Sequence, residues 1–211
     1  MQILYFNELE STQLYLKTLL KKKELSAPIA ITCGVQTKGI GSRNNEWKGS
    51  NGNLFVSFAY SLQELPVDLK VESASIYFSY ILKETLAEFS SKVWLKWPND
   101  LYIGDAKVGG MITTLVEENI VCGFGLNLNS APENFTKLDV TIDKNLLLKQ
   151  YFKNLEKKLL WKQVFSKYKL EFEQNKTYFT HVNSEKVSVE SATLESDGSL
   201  LINGERIYSL R

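Results

Sequence analysis

Four apolar runs follow one another at hairpin spacing between residues 93 and 128, at 93–97, 101–103, 108–116 and 120–128. Short apolar runs bounded by turn residues read as strands, with Gly104-Asp105 and Glu118-Asn119 at two of the turns. The remaining junction is different. Lys96-Trp97-Pro98-Asn99-Asp100 places a polar corner where strand pairing would ordinarily continue. Pro98 removes a ladder donor and fixes φ, which stops the strand. Asn99 and Asp100 suit the corner because their side chains bond nearby backbone. Beyond the next turn come Lys107 and then Gly109-Gly110, where absent side chains let a ligand approach the main chain. A polar corner facing a lysine and a bare strand is a place to hold an anion. An ordinary hairpin with a solvated lysine fits the same residues equally well.

The rest of the chain frames this segment. Residues 1–6 read as a short strand. Leu14, Leu16, Leu19 and Leu20 give residues 11–20 a helical period, with Ser11 or Thr12 as cap and Lys21-Lys22-Lys23 as a solvated end suited to the helix dipole. Residues 29–35 read as a buried strand, and residues 37–53, rich in Gly, Asn and Ser, as a long surface loop. Loops of that length are uncommon unless functional or disordered. A strand at 54–62, a helix at 71–89 and one or two helices over 146–174 follow. From Lys186 onward, short strands are separated by Asp197-Gly198 and Asn203-Gly204, both strong hairpin turns. The expected class is α+β: a mixed β-sheet backed by helices over residues 1–180, then a small barrel-like β subdomain over 181–211.

Composition narrows the function. With 44% hydrophobic and 23% charged residues and a net charge of +1, the chain reads as an ordinary globular protein with no basic face for nucleic acid or membrane. It has neither a bilayer-length apolar run nor a signal peptide's basic start and cleavage site. Cys33 and Cys122 are too few and too far apart for a disulfide framework and read as small core fillers, so a reducing cytoplasm is the expected setting. His181 has no local partner at metal-ligand spacing.

Lys96-Trp97-Pro98-Asn99-Asp100 with Lys107-Val108-Gly109-Gly110 closely resembles the signature of biotin protein ligases. Three further motifs stand in the family's order. Leu9-Glu10-Ser11-Thr12 resembles its early Ser-Thr motif, residues 36–47 its glycine-rich biotin and adenylate loop, and Gly123-Phe124-Gly125-Leu126-Asn127 the strand that closes its site. The likeness is good over residues 8–129 and loose at the end of the chain. It implies a class II synthetase-like catalytic fold with a C-terminal SH3-like subdomain. It also implies a two-step reaction: biotin and ATP give biotinyl-5'-adenylate, and a lysine of a biotin carboxyl carrier domain then takes the biotinyl group. ATP, Mg²⁺ and biotin are the implied small molecules, and a homodimer through the sheet is compatible with the family.

Site roles follow residue by residue. A biotin pocket needs a few fixed polar groups against the urea and apolar walls elsewhere. Ser11, Thr12 and Gln36 supply such groups, although Ser11-Thr12 is equally suited to capping a helix. Gln13, Gly39, Ile40, Gly41, Ser42, Gly109, Gly110, Gly123 and Gly125 match the rest of the biotin pocket. Lys107 is the implied clamp on the biotin carboxylate and α-phosphate, and Asp100 the group that orients or deprotonates the incoming amine, with an Asx turn as its bland alternative. Arg43 is the only guanidinium left in the loop, and Trp47 the ring that stacks on adenine. Asn99, Asn127 and Arg211 match contacts to the nucleotide, and Mg²⁺ is expected to be held by ATP itself, without dedicated protein ligands. Trp94 and Trp97 read as core.

The loop departs from the family's Gly-Arg-Gly-Arg-x-Gly-Arg-x-Trp pattern. Ile40, Ser42 and Asn45 stand at the arginine positions and Asn44 at the third glycine, which predicts a looser grip on the adenylate. Three rival readings are weaker. A lipoate ligase or octanoyl transferase needs no urea partners. A biotin-sensing repressor needs a DNA-binding domain before the Ser-Thr motif, which here begins at residue 11. An inactive relative would not be expected to keep Lys107, Asn99 and Asp100.

Overall fold

The computed structural model describes residues 1–41, 46–47, 51–182 and 185–208. Its centre is a seven-stranded sheet formed by β1 (Gln2–Leu9), β2 (Ile29–Gln36), β3 (Leu54–Ser61), β4 (Trp94–Lys96), β5 (Asp100–Ile103), β6 (Ala106–Val116) and β7 (Asn119–Leu126). The spatial order is β1-β2-β3-β7-β6-β5-β4. Only the β1–β2 pair within it is parallel; it is joined by helix α1 (Thr12–Lys21), as a parallel pair requires a crossover. The sheet is therefore mixed, and the four runs from residue 93 form its consecutive antiparallel half.

The polar corner behaves as its residues dictate. β4 stops at Lys96 and β5 begins at Asp100, with Lys96 and Asp100 paired across the turn. The Trp97 indole is buried and donates to the Gly198 carbonyl at 2.8 Å, while the Trp97 backbone N–H donates to Asn175 Oδ1 at 2.6 Å. The corner is thus fastened to the C-terminal part of the chain. Trp94 departs from its core assignment. It is half-exposed, packed against Tyr102 and Tyr178 at centroid distances of 5.5 and 5.1 Å, because β4 is an edge strand and Trp94 alternates with the buried Leu95.

Helices α2 (Ala74–Glu88), α3 (Lys144–Glu156) and α4 (Trp161–Glu171) share the main core with the sheet. The charged stretch after residue 146 is thus two helices. Phe58 lies edge-on to Phe78, Tyr151 and Phe152 at 5.4, 5.8 and 5.7 Å. Each such aromatic pair adds about 0.5–1.5 kcal/mol to what area burial alone contributes. α1 packs in a separate cluster, where Leu16 and Leu20 meet Ile29, Ile31, Ala59 and Val121. Cys33 and Cys122 are buried and unbridged, and burial pushes the Cys33 thiol up to about 11.

After α4 the chain forms two small sheets: β8 (Phe179–Val182) with β9 (Glu185–Ser188), then β10 (Thr193–Leu194), β11 (Leu200–Ile202) and β12 (Glu205–Ile207). Gly198 and Gly204 adopt φ of +81° and +82° at the turns, a region glycine enters freely. Val189, Ala192, Leu194, Leu200 and Ile202 join the same core cluster as α2 and the large sheet. No helix among the described residues is long and apolar enough to cross a membrane.

Candidate functional site

The start of α1, the strands β3, β6 and β7, and the loop residues Ile40, Gly41, Glu46 and Trp47 surround a cavity of about 360 Å³. That is within the range of small-molecule pockets. Of the residues singled out from sequence, Ser11, Thr12, Gln13, Gln36, Ile40, Gly41, Trp47, Asn99, Asp100, Lys107, Gly110, Gly123 and Gly125 line it.

One end is a network of polar side chains drawn from three elements. The Thr12 backbone N–H and its Oγ1 hydroxyl both donate to Gln36 Oε1, at 2.8 and 3.0 Å. Thr12 has one hydroxyl proton, so the 2.9 Å contact between Thr12 Oγ1 and Ser57 Oγ must be donated by Ser57. Gln36 Oε1 is saturated by Thr12, which leaves the Gln36 amide to act as a donor. Ser11 caps α1, accepting from the Leu14 N–H at 3.4 Å, so the cap and the cavity wall are one residue. Gln13 reaches further in. Its Nε2 donates to the Val121 carbonyl at 3.4 Å, while its buried Oε1 has no hydrogen-bond partner among the described residues. Leaving a buried acceptor unpaired costs about 1–3 kcal/mol, which leaves this oxygen suited to a donor from a ligand.

Glycines make room for these groups. A Cβ on Gly123 would lie 2.5 Å from Gln13 Oε1 and 3.1 Å from Ser57 Oγ. A Cβ on Gly125 would lie 2.5 Å from the Trp47 indole. A Cβ on Gly110 would lie 3.0 Å from Asp100 Oδ1 and 3.3 Å from Lys107 Nζ. The bare strand foreseen from sequence is real, but side chains of this chain fill part of it.

The other end is ionic. Lys107 Nζ and Asp100 Oδ1 are 2.6 Å apart, with the two side chains 22% and 28% exposed. The Lys107 ammonium also lies 5.8 Å from the centre of the Trp47 ring, whose buried Nε1 lacks a partner among the described residues. Asn99 ties the corner to β6: its side-chain Nδ2 donates to the Met111 carbonyl, and its backbone carbonyl accepts from the Met111 N–H at 2.9 Å. Lys96, on the same corner, is held below the usual lysine range by burial, with Lys107 adding to the effect and Asp100 opposing it. It lies over the Tyr102 and Tyr178 rings at 4.9 and 5.3 Å.

Other expected residues sit elsewhere. Gly109 packs against Leu126 and the Gly125 carbonyl, which serves strand packing. Gly39 underlies the loop, accepting from the Trp47 N–H at 2.8 Å, and a Cβ there would meet the Trp47 carbonyl at 2.5 Å. Asn127 is 1% exposed and lines a smaller adjoining cavity of about 130 Å³ with Glu46, Trp47, Pro132 and Phe135. Ser42, Arg43 and Arg211 lie outside the described residues. Among those described, no group of three or more His, Cys, Asp or Glu gathers to hold a metal ion.

Sequence reasoning missed Ser57, Phe135 and the apolar wall of Met111 and Ile112. Ser57 left a signal, as a serine inside the apolar run that opens β3. Phe135 left none; it reaches the site because residues 132–136 fold back on β6, where the Thr136 N–H donates to the Lys107 carbonyl at 2.9 Å.

Comparison with known proteins agrees with this geometry. Residues 5–127 match the model of the biotin/lipoate A/B protein ligase family. The bifunctional ligase/repressor BirA of Escherichia coli is 32% identical over 127 residues, covering 57% of this chain and 38% of BirA. The BirA of Salmonella typhimurium is 29% identical over 156 residues, covering 66% of this chain and 48% of that protein. The chain thus spans about half the length, or less, of these curated relatives. Among solved structures, biotin acetyl coenzyme A carboxylase synthetase of Helicobacter pylori, with bound biotinylated ATP, superposes with a TM-score of 0.94 at 38% identity, covering 98% of this chain and 99% of that one. The biotin protein ligase of Aquifex aeolicus, in complex with biotin and ATP, shares the fold at 23% identity and a TM-score of 0.76, covering 100% of this chain and 96% of its own. The mixed sheet, its helical layer and the small C-terminal sheets are thus the fold of a biotin ligase catalytic unit.

Proposed function

The chain belongs to the biotin/lipoate A/B protein ligase family, and from that premise we propose that it activates biotin with ATP to biotinyl-5'-adenylate and transfers the biotinyl group to a lysine of a carboxylase carrier domain. The observation that carries this reading is the asymmetry of the cavity. One end offers hydroxyls, a glutamine amide and the unpaired Gln13 Oε1, which suit a urea's carbonyl and N–H groups. The other offers Lys107, which suits a carboxylate and a phosphate. A lipoyl or octanoyl tail has no urea and would leave Gln13 Oε1 unpaired. The biotinylated ATP bound to the Helicobacter pylori relative supports the same choice.

In the first step a biotin carboxylate oxygen attacks the α-phosphorus of ATP, and the bond from that phosphorus to the bridging oxygen breaks to release pyrophosphate. Negative charge gathers on phosphoryl oxygens, so positioning and cations supply the catalysis. Lys107 exchanges Asp100 for these anions, with Arg43 and Arg211 as further cations and Trp47 stacking on adenine. Asn99 and Asn127 flank the nucleotide. The carboxylates lining the cavity are Glu46 and Asp100, and Asp100 is paired with Lys107, so a magnesium ion fits best on the oxygens of ATP and water. In the second step the acceptor lysine's neutral amine attacks the anhydride carbonyl, the bond to AMP breaks, and Asp100, released by Lys107, takes the amine proton.

The carrier domain is the proposed partner, DNA is not, and ATP use together with unbridged cysteines suits the cytoplasm. Biotin-dependent exchange of labelled pyrophosphate into ATP tests the reading. Exchange is expected with biotin and not with lipoate or octanoate; equal exchange with lipoate would move the chain to the other branch of its family.

A further inference from the structure

We propose that Asn53 is a positioning residue for the nucleotide half of the site, acting through Asn127; this rests on the ligase reading above. Asn53 is fully buried at the start of β3, and both ends of its carboxamide are committed. Its Oδ1 accepts from the backbone N–H groups of Leu128, Asn129 and Ser130 at 3.1, 3.1 and 3.3 Å. Its Nδ2 donates to Asn127 Oδ1 at 3.3 Å and to the Ser130 carbonyl at 2.9 Å. Three donors on one side and two acceptors on the other leave one orientation for this amide.

That orientation sets the next one. With its Oδ1 taken by Asn53, Asn127 directs its Nδ2 to the Thr136 carbonyl at 3.2 Å. One Asn127 amide hydrogen then remains for a ligand in the small cavity beside Trp47 and Phe135. Thr136 in turn donates through its backbone N–H to the Lys107 carbonyl at 2.9 Å. The path Asn53, Asn127, Thr136, Lys107 therefore joins the end of the glycine-rich loop to the backbone of the phosphate-binding lysine. Lys144 anchors its origin, donating to the Asn53 carbonyl at 2.7 Å. None of these bonds touches Thr12, Gln13, Gln36 or Ser57, so the effect belongs to one half of the cavity.

Asn53→Asp is the informative change. The carboxylate still accepts the three N–H groups but sets an oxygen against Asn127 Oδ1 and the Ser130 carbonyl. Asn127 answers by flipping its amide, which loses its bond to Thr136 and turns an acceptor toward the nucleotide. Biotin-dependent exchange by the unsubstituted protein is measured first, and its absence would overturn both the ligase reading and this proposal. Given exchange, Asn53→Asp is expected to raise the KM for ATP tenfold or more while the biotin Kd stays within twofold. If Asn53 acts through Asn127, adding Asn53→Asp to Asn127→Ala changes little beyond Asn127→Ala alone, since coupled residues are not additive. An unchanged KM for ATP, equal losses for ATP and biotin, or full additivity with Asn127→Ala would each overturn the proposal. If the aspartate variant does not fold, Asn53→Ser, too short to reach Asn127, is read by the same criteria.

Discussion

The two ends of the cavity stand on different elements, α1, β2 and β3 at one and β5 and β6 at the other, and are held by different physics. At the polar end, Thr12, Gln36 and Ser57 are bonded to one another before any ligand arrives, with distances of 2.8 to 3.0 Å. Their rotamers are set, so a ligand that matches them meets little ordering cost. At the ionic end, Lys107 is bonded to Asp100, and both must change partners for the chemistry to proceed. The first end is built to recognise and the second to exchange. Recognition tolerates no added atom, whereas exchange tolerates no lost charge.

Lys107→Ala should expose the second half of this contrast with the largest effect. A cation placed on charge that develops in the transition state contributes roughly 2–4 kcal/mol, on the order of 10²-fold or more in rate. Adenylate formation should fall by at least that much, with the melting temperature little changed. A folded variant that kept most of its exchange rate would show that the ionic end is only a surface pair.

Gly123→Ala attacks the first half. Its methyl group would arrive 2.5 Å from Gln13 Oε1, and overpacking of this kind costs about 1–3 kcal/mol. Biotin affinity should weaken by roughly tenfold to a hundredfold at 1.4 kcal/mol per decade, while the KM for ATP holds. Equal losses for both substrates would mean that the two ends are not separable.

This division also explains what was legible in the sequence. The strands from residue 93 announced themselves because Pro98, Gly104-Asp105 and Glu118-Asn119 punctuate them, and local punctuation is what sequence reading detects. Lys107, Asp100 and Gly110 stood out from the residues themselves as a polar corner facing a lysine and a bare strand, whereas Gly123 and Gly125 entered through the family motif. Phe135 was not legible, since its importance arises from a loop folding back, and Ser57 stood out only as a serine in an apolar run, its place in the site being set by cross-sheet register. Asn127 shows the opposite gap. Its motif marked it as a ligand contact, and the structure places it 1% exposed, with both ends of its amide bonded within the protein. Trp94 was read as core from its chemistry alone, and only sheet order reveals that its strand is an edge.

The loop arginine offers a smaller test, resting on sequence because Arg43 lies outside the described residues. One charge-assisted hydrogen bond contributes about 1.5–3 kcal/mol. Arg43→Ala should therefore speed release of labelled biotinyl-adenylate by about tenfold or more in a chase experiment. The unsubstituted protein should already release it faster than a ligase with arginines in place of Ile40, Ser42 and Asn45. Equal half-lives would leave retention to Lys107 and the backbone.

The smallest effect should come from a residue that serves neither end. Asp68 accepts the backbone N–H groups of Trp161 and Lys162 at 2.8 and 3.0 Å, capping the first turn of α4 in the helical layer behind the sheet. Burial acts to raise its carboxyl, but these two N–H groups and the Lys162 charge outweigh it, so its pKa lies below the ordinary aspartate value. A depressed pKa in the folded state means that the unfolded chain takes up the proton more readily. The stability it supplies is therefore present above the unfolded pKa of about 3.9 and is lost as pH falls through the folded value. Asp68→Asn keeps one acceptor and should cost about 1 kcal/mol at neutral pH, a drop of about 2–4 °C in Tm for a chain of this size. The gap between the two proteins should then close below pH 4 or so, as the wild-type carboxyl is protonated. Thermal melts across pH check this directly. Biotin Kd and the KM for ATP should not move, because α4 reaches the site only through the shared core. A shift in either constant would show that the helical layer tunes the ends of the cavity, and the contrast between them would then have to be redrawn to include it.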